Sequence, residues 1–331
     1  MSVSNLSGAS VICIPRASSN GTAFQFERDK NKSMDNENKA IQIEGRALRI
    51  ARLDADLYLF LSDPEPMIAR LRNSPHRIDI FTFIQGLSET RPKYNYPMEW
   101  DNFAAVPIST FENWWDKQIG AKTRNKARMA EKKGISIREV PFDDQLVRGI
   151  WEIYNEVPVR QGRPFKHYGK DLDTVYKDTA TYLDSSTFIG AFQGDELIGF
   201  IKLVADESGV QAGLMNILSK MAHRDKAPTN ALLAQAVKSC ADRGISYLVY
   251  ANYAYGNKQS DSLTDFKDRN GFQRVDVPRY YVPLTLFGKL ALRLGFHHKL
   301  IDRLPSSIAS RIRELRKNWL SRKPRSLEEA T

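Results

Sequence analysis

The chain has 331 residues, 42% apolar and 27% charged, a balance that excludes global disorder and suits one enlarged domain or two related ones. Its net charge of +10 is uneven: across residues 286–325 eleven Lys or Arg stand against Asp302 and Glu314, a local +9 on a nearly neutral body. Two cysteines, Cys13 and Cys240, exclude a disulfide framework, no Cys/His spacing suits zinc and no apolar run spans a bilayer, so a reducing, cytoplasmic setting with no metal is expected.

Residues 1–39 are rich in Ser and Asn, with a short apolar patch at 11–14 and no basic stretch before it. That composition predicts a disordered leader, or sequence upstream of a start at Met34, rather than a secretion signal. Residues 41–61 and 78–87 read as strands around a helix near 66–73, in which Met67, Ile68 and Leu71 share a face. A Pro- and Tyr-rich loop, 91–97, closes this first αβ portion. Thr110 suits the N-cap of a helix that begins with Phe111, Trp114 and Trp115 and runs through a basic stretch to Gly134 at C′. Lys122, Arg124, Lys126, Arg128, Lys132 and Lys133 give that stretch a solvated or phosphate-facing side.

Residues 135–140 are strand-like, and Asp143 caps a helix whose Leu146, Ile150, Ile153, Tyr154 and Val157 recur at helical spacing until Pro158. A loop over 160–170 and a helix over 172–183 follow. Residues 187–192 and 197–205 are strands joined by the turn pair Gly194 and Asp195, and 210–218 is a third. Pro228, with its fixed φ and missing N–H, suits the first position of a helix that ends before Gly244 and turns Leu232, Leu233, Ala236, Val237 and Cys240 inward. A strand over 247–252, a short helix over 262–270 stopped by Gly271, and a strand over 273–283 complete the sheet. Beyond Leu286 the chain reads as helix interrupted at Pro305.

The joint between the third strand and the following helix carries chemistry. His223-Arg224-Asp225-Lys226-Ala227-Pro228-Thr229-Asn230 sets a turn and the first unpaired N–H groups of a helix directly after a strand. Such an end attracts phosphate through oriented donors and the helix dipole, and Arg224 and Lys226 add charge; an ordinary loop with two solvated cations is the plainer reading. Tyr247, Tyr250, Asn252, Tyr253, Tyr255 and Asn257 cluster at the end of the 247–252 strand, where packing accounts equally well for Tyr247 and Tyr250.

The element order, with the segments Pro228-Thr229-Asn230-Ala231-Leu232-Leu233 through Ala241-Asp242-Arg243-Gly244, Phe266-Lys267-Asp268-Arg269-Asn270-Gly271-Phe272, and Lys122-Thr123-Arg124-Asn125-Lys126-Ala127 to Lys132-Lys133-Gly134-Ile135, resembles the GNAT superfamily of acyl-CoA N-acyltransferases in its FemAB-like branch. The similarity covers about residues 105–285. It implies an α/β GNAT fold, a mixed sheet flanked by helices, with a shortened GNAT-like half and connector at 40–134, an acyltransferase domain at 135–285 and a basic amphipathic tail at 286–331. The chain departs from the acetyltransferase pattern where a Gly-rich phosphate loop becomes Arg224-Asp225-Lys226-Ala227-Pro228-Thr229.

The resemblance implies transfer of an acyl group from acyl-CoA, a co-substrate rather than a tightly bound cofactor, to a small-molecule or peptide amine. Aminoacyl-tRNA is the alternative donor. Main-chain groups of Met215 and Ile217, with Arg224, Lys226, Thr229 and Asn230, are the expected donor site. Arg160, Arg163, Lys170, Tyr250 and Asn252 are expected to face the acceptor. His167 is the first candidate base, His223 the second, and Tyr253 or Tyr255 the acid for the leaving thiolate. A surface role for His167 competes with catalysis. A non-catalytic adaptor for nucleic acid or an anionic membrane is the rival of another class, supported by the tail's charge. The same charge predicts peripheral contact with the inner face of the membrane.

Overall fold

The computed structural model describes residues 10–12 and 41–298, except 55–57, 59, 62, 88, 90, 161, 207 and 255–261. The first portion comprises β1 (Ser10–Ile12), β2 (Ile41–Glu44), β3 (Ile50–Leu53), α1 (Glu65–Arg72), β4 (Ile80–Ile84) and β5 (Met98–Pro107). There follow α2 (Phe111–Asn113), a π turn (Trp114–Gln118), α3 (Ala121–Lys132), β6 (Ile135–Val140), α4 (Asp144–Asn155), β7 (Val159–Arg160), β8 (Arg163–Pro164) and α5 (Leu172–Thr179). The last portion comprises β9 (Ser186–Gln193), β10 (Glu196–Ala205), β11 (Gln211–Ser219), a 3-10 turn (Met221–Lys226), α6 (Pro228–Asp242), β12 (Tyr247–Asn252), α7 (Ser262–Arg269), β13 (Gln273–Pro283) and α8 (Leu286–Arg293).

Eleven strands form one mixed sheet in the order β1-β2-β3-β4-β13-β5-β12-β11-β10-β9-β6. Among the described residues only β3·β4 and β11·β12 pair in parallel. Successive residues of β10 reach opposite faces, as strand geometry requires: Ile201 joins the core with Leu232, Leu233 and Ala236 of α6, and Phe200 joins the core with Ile150 and Tyr154 of α4. The predicted local signals hold. The Thr110 and Asp143 side chains accept from the Asn113 and Leu146 amides at 3.1 and 2.8 Å, and Gly134, Gly194, Gly244 and Gly271 all have positive φ.

Four sequence expectations change. The helix expected from Thr110 to Gly134 is two pieces, because Ile119 and Gly120 are extended. The break buries Trp114 and Ile119 against α6 while Lys122, Lys126, Arg128 and Lys132 of α3 face outward, and Arg124 Nη1 caps the freed carbonyls of Trp115 and Ile119 at 2.9 and 2.6 Å. The strand expected over 41–61 is a hairpin, β2 and β3. Ser10–Ile12, inside the segment assigned to a disordered leader, pair with β2, since edge pairing needs main-chain hydrogen bonds rather than a large apolar surface.

The fourth change concerns β5, which has no sequence counterpart. It lies between β12 and β13, and Phe103, Ala104, Ala105 and Val106 are each fully buried. The portion before the connector thereby supplies a strand to the middle of the later sheet. Of the predicted tail, α8 is described; residues 299–331, with the expected interruption at Pro305, lie outside the described residues. No helix among the described residues is long and apolar enough to cross a membrane.

Candidate functional site

β11 and β12 run side by side from Gln211–Tyr247 to Gly213–Val249 and then part. Beyond that point β11 pairs only with β10 and β12 only with β5, and residues 215–219 change from buried to partly exposed. Each strand bends at its own irregularity. On β11 the pairs Lys202–Asn216 and Leu203–Leu214 leave Met215 unpaired in a bulge, at one of the two positions whose main-chain groups were expected at the donor site. On β12 the pairs Val249–Ala105 and Asn252–Phe103 leave Tyr250 and Ala251 opposite a single residue, and Ala251 takes a left-handed φ of 47° that non-glycine residues rarely adopt. The result is a gap in the strand pairing, termed the groove, bounded by Met215–Ser219 and Tyr250–Asn252.

The N-terminus of α6 closes one end of the groove. The Thr229 and Ser219 hydroxyls stand 3.1 Å apart, and Asn230 Nδ2 donates to Asn270 Oδ1 at 3.3 Å. The far end of α7 is pinned in turn by the connector: Trp114 Nε1 donates to the Asn270 carbonyl at 3.1 Å and Thr123 Oγ1 to the Arg269 carbonyl at 2.9 Å. These bonds satisfy last-turn carbonyls that a helix cannot pair by itself.

The loop expected to cradle phosphate is a closed 3-10 turn. Its first amides, Met221 and Ala222, are already taken by the Glu156 carboxylate at 2.7 and 2.9 Å. Lys226 donates to Gln193 Oε1 and stands 3.0 Å from His223 Nδ1, whereas the Arg224 side chain is exposed. Ala227 has φ 53°, a backbone state glycine adopts without steric cost, and Pro228 removes one helix-start donor.

The acceptor-side candidates divide. Arg160 is turned inward: its guanidinium donates to the carbonyls of Ser219 and Ile153, both at 2.8 Å, and to Glu156 at 3.1 Å, and it lies 4.6 Å from the Phe165 ring centre. It ties α4 to the end of β11 and to the 3-10 turn. Lys170 pairs with Asp178, and Arg163 is exposed on β8. His167 stacks on Tyr154 with ring centres 4.3 Å apart; burial first, then Lys166 and Lys170, bring its pKa down to about 4. The ring is therefore neutral near pH 7 and weakly basic. That suits it to packing the 160–170 loop onto α4 better than to taking a proton from an ammonium group.

At the β12 wall, Tyr250 packs 5.8 Å from Phe272. Asn252 Nδ2 donates to Asp101 Oδ1 at 2.8 Å, and Asp101 Oδ2 accepts from Arg279 Nε at 2.9 Å. Tyr253 donates to Asp268, and that hydrogen bond raises its pKa to about 12, so the phenol is a poorer acid than an ordinary tyrosine. Tyr255 and Asn257 lie outside the described residues.

Two lysines absent from the sequence-based site are among the most buried side chains. Lys267 is 0% exposed; its ammonium donates to the Asn252 carbonyl and lies 4.9 Å from the Tyr250 ring centre. Lys202, 1% exposed, pairs across the β11 bulge and donates to the Thr179 carbonyl at 2.9 Å and Thr181 Oγ1 at 3.0 Å, with burial bringing its pKa down to about 8. A sequence signal existed for Lys267 alone, as it stands at the second position of the Phe266–Phe272 segment.

No family model and no curated protein sequence matches the chain. Solved structures do match in fold. FemX is 12% identical with a TM-score of 0.51, over 78% of this chain and 88% of that one. L-PGS from Bacillus licheniformis is 12% identical with a TM-score of 0.52, over 78% and 87%. The C-terminal domain of a lysylphosphatidylglycerol synthetase candidate from Agrobacterium fabrum is 12% identical with a TM-score of 0.50, over 78% and 85%. Identity this low speaks for the fold alone. With strands parting at Gly213 and Val249 and a bulge at Met215, the chain has the GNAT fold, a mixed sheet flanked by helices.

Proposed function

We propose that the chain is an acyl-group transferase in which an acceptor amine directly attacks an activated acyl carbonyl in the groove between β11 and β12. The observation that carries this reading is the parting of the two strands at Gly213 and Val249 beside the Met215 bulge, with the Lys267 ammonium behind the opposite wall. Main-chain amides near Met215 and Ile217 receive the developing oxyanion. Fixed donors of this kind need no reorganisation as charge appears. The groove itself contributes by holding amine and carbonyl together. The C–N bond forms, the bond to the donor's sulfur or oxygen breaks, the leaving atom is protonated and the amine's proton passes to water in the open groove.

Acyl-CoA is the first donor reading, carried by the cations Arg224 and Lys226 near the start of α6. A second reading, aminoacyl-tRNA, is favoured by the closed 3-10 turn, whose first amides are held by Glu156 and whose Lys226 is engaged with Gln193. That arrangement leaves little of the main-chain cradle that a pyrophosphate takes in a Gly-rich loop.

A mass-spectrometric screen tests both. The full-length chain is incubated with a panel of acyl-CoA thioesters, or with charged total tRNA, and a mixture of amines. Acylated amine from either donor supports the reading; absence of both product and donor binding overturns it. For a CoA donor, replacing Arg224 and Lys226 with Ala weakens thioester binding by roughly tenfold or more, as expected for lost charge-assisted bonds. Unchanged thioester affinity in that variant moves the donor away from the turn.

A further inference from the structure

Two consecutive histidines after α8 converge on one carboxylate oxygen of β5. His297 Nε2 and His298 Nε2 each stand 3.0 Å from Glu99 Oε1, and the three ligand atoms all lie within 4.8 Å of one another. Adjacent residues rarely aim both side chains at one point. Here the turn after Gly295, with φ 69°, brings the rings to 4.0 Å between centres at 39°. The groups are braced from behind: the Tyr281 ring meets the His297 ring edge-on at 4.7 Å, and Tyr281 Oη lies 3.4 Å from Glu99 Oε2. The His297 side chain is 7% exposed, and those of Glu99 and His298 about two-fifths, so one imidazole is built into the fold and the site opens to solvent on the other side.

We propose that Glu99, His297 and His298 form a binding site for a divalent transition-metal ion of the zinc class, which clips the turn after α8 to β5. Zinc binds imidazole nitrogen and carboxylate oxygen at about 2.0–2.2 Å, so ligand atoms around one ion stand roughly 3–3.5 Å apart; the two spacings to Glu99 already match. Two imidazoles and one carboxylate select borderline ions over Mg²⁺ and Ca²⁺, which take oxygen sets. Three protein ligands leave a fourth position to water. The ligand from β5 is 198 residues from His297 in sequence, and no spacing motif announces the site.

Calorimetry with the full-length chain and Zn²⁺ alone, with Mg²⁺ as the contrasting ion, tests this. One Zn²⁺ site is expected, together with a rise in Tm that Mg²⁺ does not give. Glu99→Gln and His298→Ala, both at partly exposed side chains, should each weaken Zn²⁺ by more than about 100-fold, since loss of an outer-shell partner alone costs roughly 10–100-fold. His76→Ala, a control at an exposed histidine, should leave binding unchanged. Zn²⁺ binding that survives both ligand substitutions, or no binding by the wild-type chain, overturns the site.

Discussion

The Lys267 ammonium donates to the backbone carbonyl of Asn252, the last residue of β12, and so holds a positive charge behind one wall of the groove. A buried ammonium is costly to desolvate, and a well-packed apolar residue of similar volume often serves stability as well or better. Lys267→Met should therefore fold with an unchanged or higher Tm while losing transfer activity by about 10²-fold, the cost of slightly misplacing the reacting groups when the β12 wall loses its brace. Thermal unfolding and product formation measured on the same preparation check this. A variant that folds and retains full activity assigns Lys267 to structure.

Arg160→Ala should act in the opposite way. Its guanidinium is hydrogen-bonded to Ser219, Ile153 and Glu156, with the side chain 12% exposed. Removing it should lower stability by about 2–3 kcal/mol, the worth of buried bonds to a charged group. Urea denaturation should show a lower midpoint at constant slope.

Gly213 sits at the last pair before the strands part, and a Cβ there would come within 2.5 Å of the Tyr58 ring. Gly213→Ala should cost about 1–3 kcal/mol through overpacking. Tyr58→Ala in the same chain should recover most of that loss in a double-mutant cycle. Simple additivity would show that the ring yields.

His167 offers a test by pH. Its folded pKa is near 4, below the ordinary unfolded value of about 6.5, so the unfolded state binds the extra proton first as the solution is acidified. Its contribution to stability is complete above about pH 6.5 and declines as pH falls from 6.5 towards 4. His167→Phe, which keeps an aromatic ring on Tyr154, should flatten that part of the stability curve. It should leave the activity profile between about pH 6 and 8 unchanged, because the imidazole does not titrate there. An activity step near pH 6.5 that disappears in the variant would return His167 to the role of base.

The element order was legible because its signals are local. Apolar periodicity marks α4 and α6, Thr110 and Asp143 accept from amides three residues on, and Gly194, Gly244 and Gly271 take φ values that strain other residues. Main-chain groups of Met215 and Ile217 entered the expected site only through resemblance. Tertiary structure alone decided the rest. β5 escaped notice because its centre, Ala104-Ala105, has little strand preference and is stabilised by partners far along the chain in β12 and β13. Arg160 reads as a cation facing the acceptor, yet it is turned inward onto carbonyls of another strand and helix. Lys267 belongs to the Phe266–Phe272 segment, but only β12 supplies the carbonyl that takes its ammonium, and Glu99 meets His297 and His298 only when β5 enters the sheet beside β13. Local pattern records a residue's own conformational preference, whereas burial and pairing of a charge depend on what long-range strand order brings against it.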